Sequence, residues 1–167
     1  MYFRLFSFLL FCFIFNGCAT KKNLRNANKP TSTNYSAKLG CQIPVNSNKV
    51  FIDAISEWVG VPYSYGGNNM NGTDCSGFVQ AIYKKVFNKN VEHNSHLLSK
   101  RATVIKYDNL EQGDLLFFKI NKKQIDHVGM HIFDTYFIHA STKKGVIVSD
   151  LEQPYYQNTF AFYGRLN

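Results

Sequence analysis

The sequence predicts an α+β domain in which N-terminal helices pack against an antiparallel sheet of about five strands. Between residues 50 and 87, apolar residues recur at three- and four-residue spacing, which is typical of amphipathic helices. From residue 114 onward the pattern changes to that of short strands separated by turns. Helices first and strands afterwards indicate segregated layers, and 167 residues suffice for one such domain.

The predicted helices begin at residues that commonly cap helix N-termini. Ser47 or Asn48 precedes the first helix, and Gly60 ends it. A second helix begins at Cys75, directly after the capping-type residue Asp74, and runs to about Phe87. A shorter helix is predicted over residues 95–101. The strands that follow are predicted over residues 114–120, 126–133, 136–140, 145–149 and 160–165.

The first 17 residues are typical of a secretory signal peptide. One positive charge, Arg4, precedes an almost unbroken apolar run over residues 5–15, which is short for a membrane span. Cys18 follows the small residue Gly17, and this junction resembles the cleavage box of bacterial lipoproteins. That resemblance implies lipidation of Cys18 and a protein held at the extracytoplasmic side of a membrane, in the cell envelope. An ordinary signal peptide or an uncleaved anchor is the alternative.

Residues 18–47 are predicted to form a flexible basic tether, and residues 48–167 to form the folded domain. Residues 19–49 hold six basic residues and no acidic one, whereas residues 50–167 hold 12 basic and 11 acidic residues. The net charge of +8 therefore belongs to the tail and does not indicate a nucleic-acid-binding face. We expect no nucleic-acid partner and a monomeric protein.

Cys75 is the first candidate for chemistry. The exported part of the chain would keep only Cys41 and Cys75, too few for a disulfide framework, although a bridge between them is conceivable. Cys75 would lie in the first turn of a helix, where backbone N–H groups and the helix dipole favour a thiolate. We therefore expect a lowered thiol pKa, and backbone N–H groups that stabilise an oxyanion. A buried structural cysteine is the alternative.

Two histidines downstream strengthen the catalytic interpretation. His127 and His139 both lie on predicted strands, and a cysteine, a histidine base and an orienting polar group form the general arrangement of thiol catalysis. A zinc site made from the same three residues is the rival, but no short paired spacing such as C-x-x-C is present. We expect no metal and no cofactor. The remaining histidines, at positions 93, 96 and 131, are interpreted as surface or packing residues.

Four segments of the chain, in order, resemble the signatures of the NlpC-type cysteine peptidases, which are bacterial cell-wall endopeptidases with a papain-like fold. The likeness covers roughly residues 48–167. The segments are Asp74-Cys75-Ser76-Gly77-Phe78-Val79, Gly113-Asp114-Leu115-Leu116-Phe117-Phe118, His127-Val128-Gly129 and Phe137-Ile138-His139-Ala140-Ser141.

The resemblance implies a hydrolase that cuts peptide bonds in peptidoglycan stem peptides or cross-links. It implies that Cys75 is the nucleophile, His127 the base and His139 the orienting residue. It also implies that Tyr63 points toward the catalytic cysteine. Asp74 and Ser76, which flank the nucleophile, would contact the substrate. The sequence departs from the family pattern at His131, where an aromatic or aliphatic residue is more common, and in the turn between the two histidine strands, which lacks the usual glycines.

Three other functions remain compatible with these residues. The first is a peptidoglycan amidase of related fold, with the same nucleophile and a different scissile bond. A catalytically inactive wall-binding lipoprotein is the second alternative, against which the intact Cys–His–His set argues. The third is a thiol acyltransferase on a permuted fold, against which the motif order argues, because histidine would precede cysteine there, whereas Cys75 precedes His127 here. The sequence does not indicate which bond is cut or which membrane carries the anchor.

The proposed triad makes a geometric demand on the two histidine strands. For His139 to orient His127, both side chains must lie on one face of adjoining antiparallel strands. A plain two-residue turn at Asp134 and Thr135 would place them on opposite faces, so an odd-length connection or a bulge is required. With a three-residue loop from Phe133, paired residue numbers sum to 268 and Gly129 lies opposite His139, leaving space for the two imidazoles.

Overall fold

The computed structural model describes residues 32–121 and 123–167. The predicted signal peptide and the predicted lipidation site at Cys18 lie outside the described residues. Of the helices that the structure describes, none is long and apolar enough to cross a membrane.

The described helices confirm the three that the sequence predicts and add two. Asn48, Asp74 and Asn94 each cap a helix, because each side chain accepts a hydrogen bond from a backbone N–H in the first turn. The helices are α1 (Ser32–Leu39), α2 (Lys49–Trp58), α3 (Cys75–Phe87), α4 (Ser95–Arg101) and α5 (Pro154–Thr159).

The strands form a two-stranded hairpin and a six-stranded antiparallel sheet. All five predicted strands are present in the larger sheet, whose order is β3-β8-β4-β5-β6-β7. The strands are β1 (Asn68–Asn69), β2 (Gly72–Thr73), β3 (Thr103–Ile105), β4 (Leu115–Phe118), β5 (His127–Phe133), β6 (Tyr136–Ser141), β7 (Gly145–Asp150) and β8 (Phe160–Arg165). The α+β prediction is therefore confirmed, with one more strand in the sheet than expected.

The main core lies between α3 and the centre of the sheet. Phe78, Val79 and Ile82 of α3 are fully buried, and they share one apolar cluster with Val128 and Met130 of β5. Helix α2 packs on α3, where the Trp58 ring meets the Phe78 ring edge-on at 5.6 Å between centroids. This packing fixes the start of α3 against the middle strands of the sheet.

The structure differs from the predicted tether over its last residues. Helix α1 precedes α2, and Leu39, Cys41 and Ile43 are buried in the same apolar cluster as α2 and α3. The Tyr35 hydroxyl also bonds to Asp53 of α2. The sequence does not predict this packing, because residues 18–47 are mostly polar and only a few separated apolar side chains make the contacts. The ordered domain therefore includes residues that the sequence assigns to the tether.

A bulge near the connection between β5 and β6 allows His127 and His139 to lie on the same face of the sheet. Met130 pairs with Ile138 and His131 with Phe137, so these residue numbers sum to 268 as predicted. Phe133 pairs with Tyr136, and the register shifts between His131 and Phe133. A two-residue turn with a neighbouring bulge thus replaces the three-residue loop of the prediction. Asp134 takes the left-handed conformation in this turn, with φ of 46°.

Candidate active site

Helix α3, which begins at Cys75, packs on β5, which begins at His127. The backbone N–H of Val128, the residue after His127, lies close enough to the Cys75 sulfur to lower the pKa of the thiol. Cys75 is 9% exposed and lines a cleft, and His127 is 8% exposed. The structure therefore brings the predicted nucleophile against the strand that carries the predicted base.

Asp74 holds the first turn of α3 in place. Its Oδ1 accepts hydrogen bonds from the Gly77 N–H at 2.7 Å and the Ser76 hydroxyl at 3.1 Å, and its Oδ2 accepts from the Gly66 N–H at 2.9 Å. Burial raises the pKa of Asp74, but the hydrogen bonds from Gly77, Gly66 and His93 outweigh it, so the pKa is lowered overall. The carboxylate thus stays charged and ties the glycine segment to the nucleophile helix.

Gly77 is required by a close backbone approach rather than by its own conformation. A Cβ atom there would lie 2.0 Å from the carbonyl oxygen of Gly67 and 2.8 Å from His93 Nε2. Any other side chain would therefore push α3 away from the Gly66–Gly67 turn.

The Cys75 thiol has a raised pKa, contrary to the sequence-based expectation. Burial raises it to about 11, and the nearby Asp74 carboxylate adds to the increase. Backbone N–H groups of Val128, Ser76 and Cys75 itself lower it, but by less. In the resting protein the sulfur is therefore a neutral thiol, since removal from water outweighs the helix terminus.

His127 and His139 form a directly hydrogen-bonded pair, which confirms the same-face prediction. His127 Nε2 lies 2.8 Å from His139 Nδ1, and the two rings are almost perpendicular at 89°. Burial lowers the pKa of His127 to about 4, despite opposing effects of Asp126 and Asp74, and burial also lowers the pKa of His139. Both imidazoles are therefore neutral near pH 7.

The space beside Gly129 is used differently from the prediction. A Cβ atom at Gly129 would meet the Phe137 ring at 2.6 Å, not an imidazole. The Phe137 ring in turn stacks on His139, with 5.0 Å between centroids and 29° between planes. Gly129 therefore makes room for the ring that supports the orienting histidine.

A second set of hydrogen bonds holds His139 from the far side. Its Nε2 lies 3.1 Å from the Ser149 hydroxyl and 3.0 Å from the Tyr156 hydroxyl, and Ser149 Oγ donates to Tyr156 Oη at 3.1 Å. Ser149 lies on β7 and Tyr156 on α5. Neither residue could be predicted from the sequence, because neither lies near a motif and the sequence does not predict α5.

The cleft in front of Cys75 has a volume of about 300 Å³. Tyr63, Asp74 and Ser76, the three predicted substrate-binding residues, all line it. Burial raises the pKa of Tyr63, and the neighbouring Cys75 adds to the increase. Both carboxylate oxygens of Asp74 already accept hydrogen bonds from the protein, so Asp74 stabilises the local structure of the cleft.

His93 and His96 are not merely surface or packing residues, as the sequence analysis interprets them. Both line the cleft, and His93 Nε2 lies 2.9 Å from Asp74 Oδ1. His131 does have a packing role, since its two ring nitrogens lie 3.1 Å from the backbone carbonyl oxygens of Glu111 and Asp134. His93 could not be predicted from the sequence, because it lies 18 residues after Cys75 and reaches the same cleft only through the fold.

Within residues 32–121 and 123–167, no group of three or more His, Cys, Asp or Glu side chains is arranged to hold a metal ion. Cys41 and Cys75 are both free thiols, so the conceivable bridge between them is absent from the structure.

The chain is similar in sequence to proteins of a known family. Residues 60–165 match the model of the NlpC/P60 family. The probable endopeptidase NlpC of Escherichia coli is 40% identical over 109 residues, which are 65% of this chain and 71% of that protein. The Escherichia coli protein named murein DD-endopeptidase MepS/murein LD-carboxypeptidase is 34% identical over 109 residues, which are 65% of this chain and 57% of that protein.

A solved structure agrees with the fold. The crystal structure of an NlpC/P60 family protein from Bacillus cereus superposes with a TM-score of 0.64 at 30% identity, over 74% of this chain and 41% of that one. The chain thus spans less than half of that larger protein. Because the family model covers well over half of the chain and includes Cys75, His127 and His139, the chain belongs to the NlpC/P60 family.

Proposed function

We propose that this protein is a cysteine endopeptidase that hydrolyses peptide bonds in peptidoglycan stem peptides or cross-links. Cys75 is the nucleophile, His127 the general base and His139 the residue that orients it. The observation that carries this proposal is the hydrogen bond between His127 Nε2 and His139 Nδ1. It occupies one nitrogen of His127, so Nδ1 remains to take a proton from the thiol. The names of the two Escherichia coli relatives support the same reaction and substrate.

The reaction begins from a neutral thiol and a neutral imidazole. As Cys75 Sγ attacks the peptide carbonyl carbon, His127 Nδ1 accepts the thiol proton, and the carbonyl oxygen becomes an oxyanion. The C–N bond then breaks as His127 gives that proton to the leaving amine, which leaves a thioester on Cys75. His127 next takes a proton from water, whose oxygen attacks the thioester carbon. The C–S bond breaks, the sulfur recovers the proton, and the carboxylic acid leaves.

The N-terminus of α3 supplies groups for the oxyanion. Asp74 Oδ1 accepts from Gly77 N–H and the Asp74 carbonyl accepts from Phe78 N–H. The first two N–H groups of the helix, those of Cys75 and Ser76, are not used in these bonds, and both lie close enough to the sulfur to lower the pKa of the thiol. Such preorganised donors stabilise a tetrahedral oxyanion without needing to reorient. Tyr63 and the Ser76 hydroxyl face the same cleft and are proposed to contact the peptide beside the scissile bond.

A digest of purified peptidoglycan tests the function. We expect new peptide termini, identified by the masses of the released muropeptides, that disappear when Cys75 is replaced. New termini at the amide between the sugar lactyl group and the peptide would instead assign the amidase alternative. Binding of peptidoglycan without any new terminus would assign the inactive wall-binding alternative and contradict the proposal.

The location of the protein is a second proposal, which rests on the sequence. The signal-like residues 1–17 and the cysteine that follows them support lipidation of Cys18 and anchoring on the extracytoplasmic side of a membrane. A tether of this kind would keep a catalytic domain close to the wall polymer. Replacing Cys18 by Ser should move the protein out of the membrane fraction and abolish labelling by a fatty-acid analogue. Unchanged, acyl-labelled membrane protein would contradict the assignment.

A further inference from the structure

The orienting histidine has two hydroxyl partners of its own. His139 Nε2 lies within 3.1 Å of both the Ser149 and the Tyr156 hydroxyl, and Ser149 Oγ donates its proton to Tyr156. His139 is 2% exposed, Ser149 6% and Tyr156 8%, so these groups have little access to water. A proton on His139 Nε2 therefore depends on these hydroxyls for an acceptor.

The position of each proton along this chain decides whether His127 acts as a base. For Nδ1 of His127 to accept the thiol proton, the neutral ring must carry its own proton on Nε2 and donate it to His139 Nδ1. His139 must then carry its proton on Nε2. The opposite arrangement, with His139 Nδ1 donating to His127 Nε2, places a proton on His127 Nδ1 and disables the base.

We propose that Ser149 and Tyr156 are positioning residues that fix the tautomers of both histidines by accepting the proton of His139 Nε2. The inference rests on the proposed function for its catalytic consequence, but the tautomers can be observed without activity. The Ser149 and Tyr156 hydroxyl oxygens lie 3.1 Å apart, so Ser149 can donate its proton to Tyr156 while its own lone pairs accept from His139. Each hydroxyl lies close enough to replace the other, so the pair acts as one acceptor.

The test compares Ser149→Ala, Tyr156→Phe and the double variant, with Tyr155→Phe as the matched control on the same helix. Each single variant should keep kcat within about threefold, since one acceptor remains. The double variant should lower kcat about 100-fold with little change in KM, because the active tautomer then leaves a buried N–H without a partner. Additive effects of the two single changes, or a fully active double variant, would overturn the proposal.

Nitrogen-15 NMR of the histidine rings gives a readout that loss of packing would not reproduce. In the native protein we expect His127 to carry its proton on Nε2 and His139 on Nε2, and in the double variant we expect a proton on His127 Nδ1. A native His127 protonated on Nδ1 overturns the proposal whatever the activity. Absence of peptidoglycan hydrolysis with the expected tautomers would count against the proposed function alone.

A separate observation concerns a basic cavity beside the catalytic cleft. It has a volume of about 600 Å³ and shares His96, Gln124 and Ile125 with the cleft that holds Cys75. The other lining residues include Lys100, Lys119 and Lys123 but no carboxylate. Because residues 50–167 carry nearly balanced charge, this local excess of lysines is not a consequence of overall composition.

The geometry points to a subsite in which these lysines bind a carboxylate of the stem peptide whose scissile bond lies at Cys75. All three lysines are exposed, and among the described residues none forms an ion pair with an acidic side chain. Stem peptides carry free carboxylates along the chain and at its end, and a peptide that extends from the shared wall would bring one of them to the lysines. This subsite rests on the proposed function for the identity of its ligand.

Binding to an inactive protein tests the subsite independently of catalysis. In a Cys75→Ala background, Lys100, Lys119 and Lys123 would be changed together to Gln, and the control would change the exposed Lys84, Lys106 and Lys143 in the same way. The probe is a stem tetrapeptide that contains D-glutamate and a diamino acid, used with free or amidated carboxylates. We expect the dissociation constant of the free-acid peptide to rise about tenfold for the variant of the three cavity lysines and to stay unchanged for the control variant. The tenfold difference should become smaller at high salt. Equal binding by the two variants would overturn the subsite, and hydrolysis by the native enzyme would still stand.

Discussion

Two opposing influences act on the sulfur of Cys75. The start of α3 offers backbone N–H groups that favour a thiolate, and burial between α3 and β5 removes the water that a thiolate needs. Burial has the larger effect, so the pKa of the thiol rises to about 11 while that of His127 falls to about 4. The two groups therefore start uncharged, and proton transfer belongs to the step in which the sulfur attacks.

This charge state predicts an unusually broad pH range on the acidic side. His127 must be unprotonated to act as a base, and its lowered pKa keeps it so down to about pH 4. We therefore expect kcat/KM to change little between pH 7 and pH 5.5 and to fall below about pH 4.5. A pH series of kcat/KM, with circular dichroism at each pH to exclude acid unfolding, checks this. An acidic limb centred near pH 6.5, the ordinary histidine value, would contradict it.

Site residues that stand in a short sequence motif could be predicted from the sequence. Residues that reach the site from elsewhere in the fold, without a motif of their own, could not. Cys75, His127 and His139 stand in short motifs, so their meeting could be predicted. His93, Ser149 and Tyr156 reach the same region from elements without a motif. The thiol pKa was predicted in the wrong direction, because depth of burial depends on packing that no local pattern reveals.

At the scale of elements, the register between β5 and β6 decides whether a triad exists. Side-chain alternation showed that a plain two-residue turn would separate the histidines, so a bulge or an odd loop could be predicted. The choice between the two depended on Asp134 taking a left-handed conformation, which non-glycine residues adopt only occasionally. The edge strand β3 and the helix α5 are too short to show a periodic sequence pattern. Strand β3 has fewer than four residues, and helix α5 has fewer than two turns.

Gly77 gives a prediction for the contact between α3 and the preceding glycine turn. Gly77→Ala places a methyl group 2.0 Å from the Gly67 carbonyl, so α3 must shift and the Asp74 hydrogen bonds must weaken. We expect a loss of about 2–4 kcal/mol in the free energy of unfolding, measured by urea denaturation.

The matched control for Gly77→Ala is Lys84→Ala, an exposed position on the same helix. That change should alter stability by less than about 0.5 kcal/mol. Equal stability of Gly77→Ala and the native protein would show that the turn around Gly67 can move freely, contrary to the structure.

For the whole molecule, the position of the domain boundary follows from α1. Leu39 and Ile43 are 4% and 8% exposed, so the segment contributes apolar contacts to the core that α2 and α3 share. Composition alone placed these residues in a tether, because a few apolar side chains among many polar ones do not form a periodic pattern.

Removal of α1 should therefore destabilise the domain. The free energy of unfolding of a protein that begins at residue 48 should be about 3 kcal/mol lower than that of a protein that begins at residue 32, because two large buried side chains are lost. Urea unfolding of the two proteins checks this. In the longer protein, Leu39→Ala alone should lower the free energy of unfolding by about 2–3 kcal/mol. Equal stability of the two proteins would mean that residues 32–47 act only as a tether.

The most direct measurement of the central claim is the rate of peptidoglycan peptide hydrolysis by Cys75→Ala, beside the native protein and Cys41→Ala. Among the residues that the structure describes, Cys41 is the other buried thiol, and burial likewise raises its pKa to about 11, so it is the matched control for loss of a sulfur atom. We expect Cys75→Ala to keep its circular dichroism spectrum and to lose all detectable hydrolysis, while Cys41→Ala remains active. Hydrolysis by Cys75→Ala at a substantial fraction of the native rate would contradict the assignment of Cys75 as the nucleophile, and with it the proposed mechanism.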